Sequence, residues 1–122
     1  MDLWGKRPEG YLQAIATNPF FVAILNGDVV GFSELDHQTG EVRAVYVQPT
    51  CIRQGIGRKL LQAVETAACE RSITRLHLHA TLNAVSFYQA HGYVTDGPGT
   101  LVLRTGTNLP CGNMHRDLDV QR

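Results

Sequence analysis

Apolar and polar positions fall into short blocks whose period changes along the chain. Residues 20 to 25, FFVAIL, are continuously apolar and predict a buried strand, and Asn26-Gly27-Asp28 predicts a hairpin turn after it. Residues 29 to 36 form the return strand, and Gln38-Thr39-Gly40 makes the next turn. Residues 41 to 48 read as a third strand, rich in the strand formers Val42, Val45, Tyr46 and Val47, and Pro49 ends it because proline cannot donate to a ladder. From Ile56 the period becomes helical. Ile56, Leu60, Leu61 and Val64 share one face, and the helix is expected to run to about Ser72. Residues 74 to 80, TRLHLHA, alternate again, with Leu76 and Leu78 on one face and His77 and His79 on the other. A second helix is predicted from about Leu82 to Ala90, ended by His91-Gly92. Tyr93-Val94 and Thr100 to Thr105 are strand-like, separated by a turn at Asp96-Gly97-Pro98-Gly99. Residues 9 to 17 predict a short helix striped by Tyr11, Leu12, Ile15 and Ala16 and stopped by Asn18-Pro19. The stretch from Gly106 to Arg122 is rich in turn formers and is expected to be mostly irregular.

Three antiparallel strands, a crossover helix, a strand, a helix and further strands define an α/β fold. Its central sheet is mixed, mostly antiparallel, with helices on both faces. At 122 residues the chain is expected to be one domain with one core. The formal net charge is zero, which gives no global attraction to nucleic acid or membrane. Neither a basic-aromatic pattern for nucleic acid nor a stretch long enough to span a membrane is present. The start, MDLWGKRPEG, lacks the apolar centre of a signal peptide, so a cytoplasmic location is expected. Three cysteines, Cys51, Cys69 and Cys111, fit no zinc spacing, and the histidines show no His-Glu-x-x-His pattern, so no metal is expected. Cys69 reads as a small buried hydrophobe. Cys51 reads as a loop residue, with a nucleophile as the lesser alternative because no fixed partner is visible.

The strand-loop-helix unit at residues 41 to 64 carries the chemistry. Gly55 and Gly57 bracket Ile56 at the start of the helix, with Arg53, Arg58 and Lys59 crowded around the same turn. The first amides of a helix have no internal partner and carry the positive end of the dipole. Glycines let a ligand approach bare backbone, so the unit favours an anion such as a phosphate or pyrophosphate. The phosphate-loop pattern Gly-x-x-x-x-Gly-Lys-Ser/Thr is absent, and the dinucleotide fingerprint lacks its third glycine. A glycine-started helix that binds nothing is the alternative.

The order strand, Arg53-Gln54-Gly55-Ile56-Gly57-Arg58, then Leu60-Leu61, resembles the coenzyme A loop of the GNAT superfamily of acyl-CoA-dependent N-acyltransferases. The block Asn83 to Tyr93, NAVSFYQAHGY, resembles that family's last helix and the turn after it. The resemblance spans roughly residues 20 to 104. It implies acetyl-CoA as cosubstrate, with its pyrophosphate on the amides of Gln54, Gly55, Ile56, Gly57 and Arg58, flanked by Arg53, and with Lys59 and Asn83 as further cofactor-binding candidates. It implies that the amide-rich pantetheine arm pairs with the strand edge at Val45, Tyr46 and Val47, as an added strand would. Tyr88 matches the tyrosine that often protonates the leaving thiolate, although core packing would explain it as well. Two positions depart from the family pattern, Ile52 where Arg or Gln is usual and Thr81 where Asn is frequent.

Moving an acetyl group from a thioester to an amine needs a base, donors for the carbonyl oxygen and an acid for the thiolate. Glu34, Glu41 and His79 are the leading base candidates, with Asp36, His37 and His77 behind them. For each, a solvated or structural side chain is the competing reading. The resemblance therefore implies an acetyl-CoA-dependent N-acetyltransferase with a small-molecule or peptide amine as acceptor. A non-catalytic acyl-CoA or coenzyme A binding module on the same fold is the alternative. Only about twenty residues precede Phe20, where the family usually has a strand and one or two helices. The expectation is a shortened N-terminus, with a sheet edge that a second copy would cover in a homodimer.

Overall fold

The computed structural model describes residues 2–4 and 18–119. Seven strands form one sheet in the order β1-β2-β3-β4-β5-β7-β6. The strands are β1 (Asp2–Trp4), β2 (Phe20–Leu25), β3 (Asp28–Asp36), β4 (Glu41–Val47), β5 (Arg75–Thr81), β6 (Val94–Val102) and β7 (Asn108–Asp117). Helix α1 spans Ile56–Glu70 and α2 spans Val85–Ala90, each preceded by a short 3-10 turn, Pro49–Cys51 and Leu82–Ala84. Every neighbouring pair is antiparallel except β4 and β5, which are parallel as the α1 crossover requires.

The core forms where the apolar stripe of α1 meets the sheet. Ile56, Leu60, Leu61, Val64, Ala67 and Ala68 are all buried. Leu61, Val64, Ala67 and Ala68 join Leu35 of β3, Val42 of β4, Leu76 and Leu78 of β5, and Met114 of β7. Burial of each large aliphatic side chain contributes about 1.5–3 kcal/mol. Tyr88 of α2 enters the same cluster, so both described helices share one core. The helix expected over residues 9 to 17 lies outside the described residues.

Two contacts fix α1 close to the sheet. Ser33, fully buried, donates its hydroxyl to the Leu60 carbonyl at 3.0 Å. At Gly31 a Cβ would stand 2.5 Å from the Tyr46 carbonyl oxygen and 3.0 Å from Leu60 Cδ1. The first neighbour is backbone and cannot swing aside. Gly31→Ala is therefore expected to lower stability by about 1–3 kcal/mol, the usual cost of overpacking. Urea denaturation checks this, and an unchanged midpoint would contradict it.

Three expectations need correction. The stretch after Gly106 is not irregular, since residues 108 to 117 form β7, paired on one side with β5 and on the other with β6. The turn expected at Asp96 to Gly99 is absorbed into one strand, β6, with a register shift between Thr95 and Gly97. β6 is the edge strand, where Pro98 lacks an N–H at little cost. The N-terminal strand is also present: β1 pairs with β2, Leu3 opposite Ala23, and occupies the edge that suggested a second copy.

Candidate functional site

β4 and β5 share one registered pair, Glu41 with His77, and part beyond it. A groove of about 680 Å³ opens along this parting. One wall is β4 at Val45, Tyr46 and Val47. On its other side β4 pairs with β3, Tyr46 opposite Phe32, and two residues on Gln48 donates its N–H to the Val30 carbonyl at 2.7 Å. By the alternation of an antiparallel ladder the N–H and C=O groups of Val45 and Val47 turn the other way, towards β5, where no partner is registered for them.

The floor at one end is the loop before α1. Arg53 (φ +67°) and Gly55 (φ +79°) both adopt left-handed backbone, and only glycine does so without strain. This kink brings Arg53, Gly55, Gly57 and Arg58 to the groove. Gly55 caps α1 with no side-chain hydrogen bond, and no acidic residue stands in the first turn. Lys59 N–H makes the bond back to the Gly55 carbonyl at 3.2 Å. The amides of Ile56, Gly57 and Arg58 precede it and have no intrahelical acceptor. A Cβ at Gly57 would lie 3.3 Å from the Phe87 ring, so this glycine also lets α1 and α2 approach.

The second wall is Thr81, Asn83, Ala84, Phe87, Tyr88 and His91. Tyr88 is buried, edge-on to Phe87 at 5.1 Å and to Tyr93 at 5.5 Å. Burial pushes its phenol up to about 12, so the hydroxyl keeps its proton.

The loop and strand residues picked out from sequence thus meet in one place, with three exceptions. Ile56 is a core side chain that offers only its amide, and Gln54 is exposed on the loop without lining the groove. Lys59 faces a different groove, between α1 and Phe21 of β2. Sequence reasoning passed over Phe87 and His91, whose rings meet at 4.8 Å. Their spacing from Ala84 and Tyr88 on one helical face was the available signal. Cys51 packs against Val30, Ile56 and Leu60 and has no nucleophile's surroundings.

The base candidates lie off the groove, and their partners separate them. Glu34 accepts from the Asn18 amide at 3.2 Å, with Arg43 4.0 Å away. Asp36 is held below the usual carboxylate range, first by the Gln38 amide, and it ties down the β3–β4 turn. His37 is bonded to Asn18 and His77 to the Thr39 carbonyl. His79 and Glu41 face each other across the parting strands, Nε2 to Oε2 4.0 Å. His79 shares a face of β5 with Thr81, which lines the groove, and sits about 7 Å deeper towards the point where β4 and β5 meet. Among the described residues no group of three or more His, Cys, Asp or Glu is placed to hold a metal ion. No described helix is long and apolar enough to cross a membrane.

The chain belongs to the GNAT acetyltransferase-domain family, whose family model matches residues 6–103. It is 33% identical over 86 residues to an IAA acetyltransferase of Azospirillum brasilense, covering 65% of this chain. The match spans 56% of that relative's length. Among solved structures it resembles a GCN5-related N-acetyltransferase, also described as a class-II aminotransferase, from Rhodopseudomonas palustris. There the identity is 26% and the TM-score 0.80, over 90% of this chain and 68% of the other. The fold is also that of a phosphinothricin acetyltransferase from Sinorhizobium meliloti solved with acetyl-CoA. That structure is 20% identical, TM-score 0.71, over 90% of this chain and 68% of the other.

Proposed function

We propose that the chain binds acetyl-CoA in the groove between β4 and α2 and transfers its acetyl group directly to an amine. The observation that carries this reading is the meeting of three features in one groove. These are a free β4 edge, uncapped α1 amides with two arginines, and a buried Tyr88 between them. Each suits one part of the cosubstrate. The α1 amides, Arg53 and Arg58 suit the pyrophosphate. The β4 edge suits the amides of the pantetheine arm, and an N–H there can stabilise the oxygen of the thioester carbonyl. Acetyl-CoA in the Sinorhizobium structure supports the same choice.

The chemistry follows from these positions. The amine nitrogen attacks the thioester carbon, the C–N bond forms and the C–S bond breaks. The proton lost from the amine goes to His79 Nε2, directly or through a water, and then to solvent. The sulfur takes the Tyr88 proton, which solvent restores. A free thiol titrates near ~8.5, below Tyr88, so full transfer to sulfur is uphill in water. Burial raises a thiol by the same desolvation that raises the phenol, which brings the two together once the groove is filled.

Calorimetric titration with acetyl-CoA and with coenzyme A, followed by turnover against a panel of amines, tests the proposal. Saturable binding and release of free thiol only when an amine is present are expected. Binding without turnover would favour the non-catalytic module, which the exposed Ile52 in the groove suits. No binding would remove both readings.

A further inference from the structure

On the sheet face away from the core, β5 and β7 place three polar side chains in contact, His79, Asn113 and Cys111, with Glu41 of β4 beside them. His79 and Asn113 are directly opposite across β5 and β7. His79 Nδ1 lies 2.6 Å from Asn113 Oδ1, and the Cys111 thiol donates to the same oxygen at 3.8 Å. Asn113 turns its Oδ1, which can only accept, to both groups, and against that oxygen a hydrogen bond from the ring needs its hydrogen on Nδ1. Nε2 is then left with its lone pair, 4.0 Å from Glu41 Oε2. That carboxylate is placed to balance the charge of a ring that has taken a proton.

The cluster is built by two side chains that sequence reasoning did not connect. Asn113 lies across Gly99 of β6, where a Cβ would fall 2.5 Å from its Oδ1 and 2.7 Å from its Nδ2. Only the missing side chain at Gly99 leaves room for this rotamer. Asn113 is itself only partly exposed, and it does not line the groove.

We propose that Asn113 is a positioning residue that holds His79 in its Nδ1–H tautomer and so aims a free Nε2 at the acceptor amine. Its catalytic consequence rests on the acetyl-transfer reading above, whereas the tautomer itself does not. The tautomer decides whether His79 can accept a proton on the side facing Glu41 and the parting strands. With the hydrogen on Nε2 instead, the ring presents a donor there and cannot act as base.

Nitrogen-15 NMR of the histidine rings at alkaline pH, with His79 assigned by loss of its signals in His79→Gln, reads the tautomer without any substrate. The parent is expected to show Nδ1–H at His79. Asn113→Asp keeps an acceptor oxygen and should keep that tautomer. Asn113→Leu fills a similar volume without an acceptor and should shift His79 towards Nε2–H. With the productive form cut to about a tenth, kcat should fall ~10-fold while the KM for acetyl-CoA is unchanged. Asn113→Asp should stay within ~3-fold of the parent, as an acceptor-based role predicts and a packing role does not. Gly99→Ala, on the edge strand, displaces Asn113 and should reproduce the tautomer shift if Asn113→Leu fails to fold. Nε2–H in the parent, or Nδ1–H retained in Asn113→Leu, overturns the proposal. A parent without amine turnover whose Nδ1–H form disappears in Asn113→Leu counts against acetyl transfer and in favour of the positioning role.

Discussion

Gly55→Asp is expected to weaken acetyl-CoA binding by about 100-fold or more while leaving the fold intact. The site is unusually clean for such a test. A Cβ at Gly55 meets nothing within 4 Å, so the new side chain enters open groove and disturbs no packing. The left-handed backbone at φ +79° would strain most residues, but aspartate is among those that tolerate it. Its carboxylate would then stand at the uncapped start of α1 and satisfy the very amides a pyrophosphate needs, while repelling the phosphates. Losing one or two charge-assisted hydrogen bonds costs about 3 kcal/mol or more, which is the stated loss of affinity. Gly55→Ala carries the backbone strain without the charge and should bind within roughly a few-fold of the parent, since only the charged variant competes at the amides. Calorimetry on the three proteins, with thermal melts as the control for folding, decides the matter. Undiminished binding by Gly55→Asp would place the cosubstrate elsewhere.

Tyr88→Phe carries the second large effect, on turnover instead of binding. Tyr88 packs with Phe87, Tyr93 and the sheet core, and phenylalanine keeps that ring packing. What is removed is one buried proton donor. Loss of such an acid typically costs 100-fold or more, so kcat should drop by about that factor, with the KM for acetyl-CoA within ~3-fold. The sign of the pH dependence also follows. Burial raises the phenol to about 12, so the proton is present across the working range and is lost only as the pH climbs to that value. No alkaline fall in kcat from Tyr88 is expected at lower pH. Equal kcat in the parent and Tyr88→Phe would return the residue to a packing role alone.

The parts of this protein that sequence exposes are those whose signal is local. The hairpin of β2 and β3, the glycine-started α1 and the alternation of β5 each rest on neighbours a few residues apart, and each was legible. β7 was not, because Pro110, Gly112 and Asn113 argue against a strand when read alone. They form one because β5 and β6 supply partners on both sides, and because Cys111, Gly112 and Met114 are buried there. The glycine loop was readable as an anion site for the same local reason. The pairing of His79 with Asn113 was not, since it spans 34 residues and depends on which strand lies beside β5. Lys59 is the opposite case, grouped with the glycine loop by nearness in sequence while its position on the helical turn lines a different groove.

The placement of β7 between β5 and β6 also dictates an order of assembly. β6 emerges from synthesis before β7 and pairs with it as a local hairpin, Val102 opposite Asn108, but neither strand joins the rest of the sheet until β7 docks on β5. The registered pairs of β7 with β5 join residues 30 to 42 positions apart, from Thr81 with Cys111 to Arg75 with Asp117. Such long closures form slowly compared with the β2–β3 hairpin or α1. Until they do, β5 shows a bare, bonding-competent edge to any neighbouring nascent chain. Kinetic vulnerability in this protein therefore concentrates in the half of the sheet that matures last, whatever the final strength of its core.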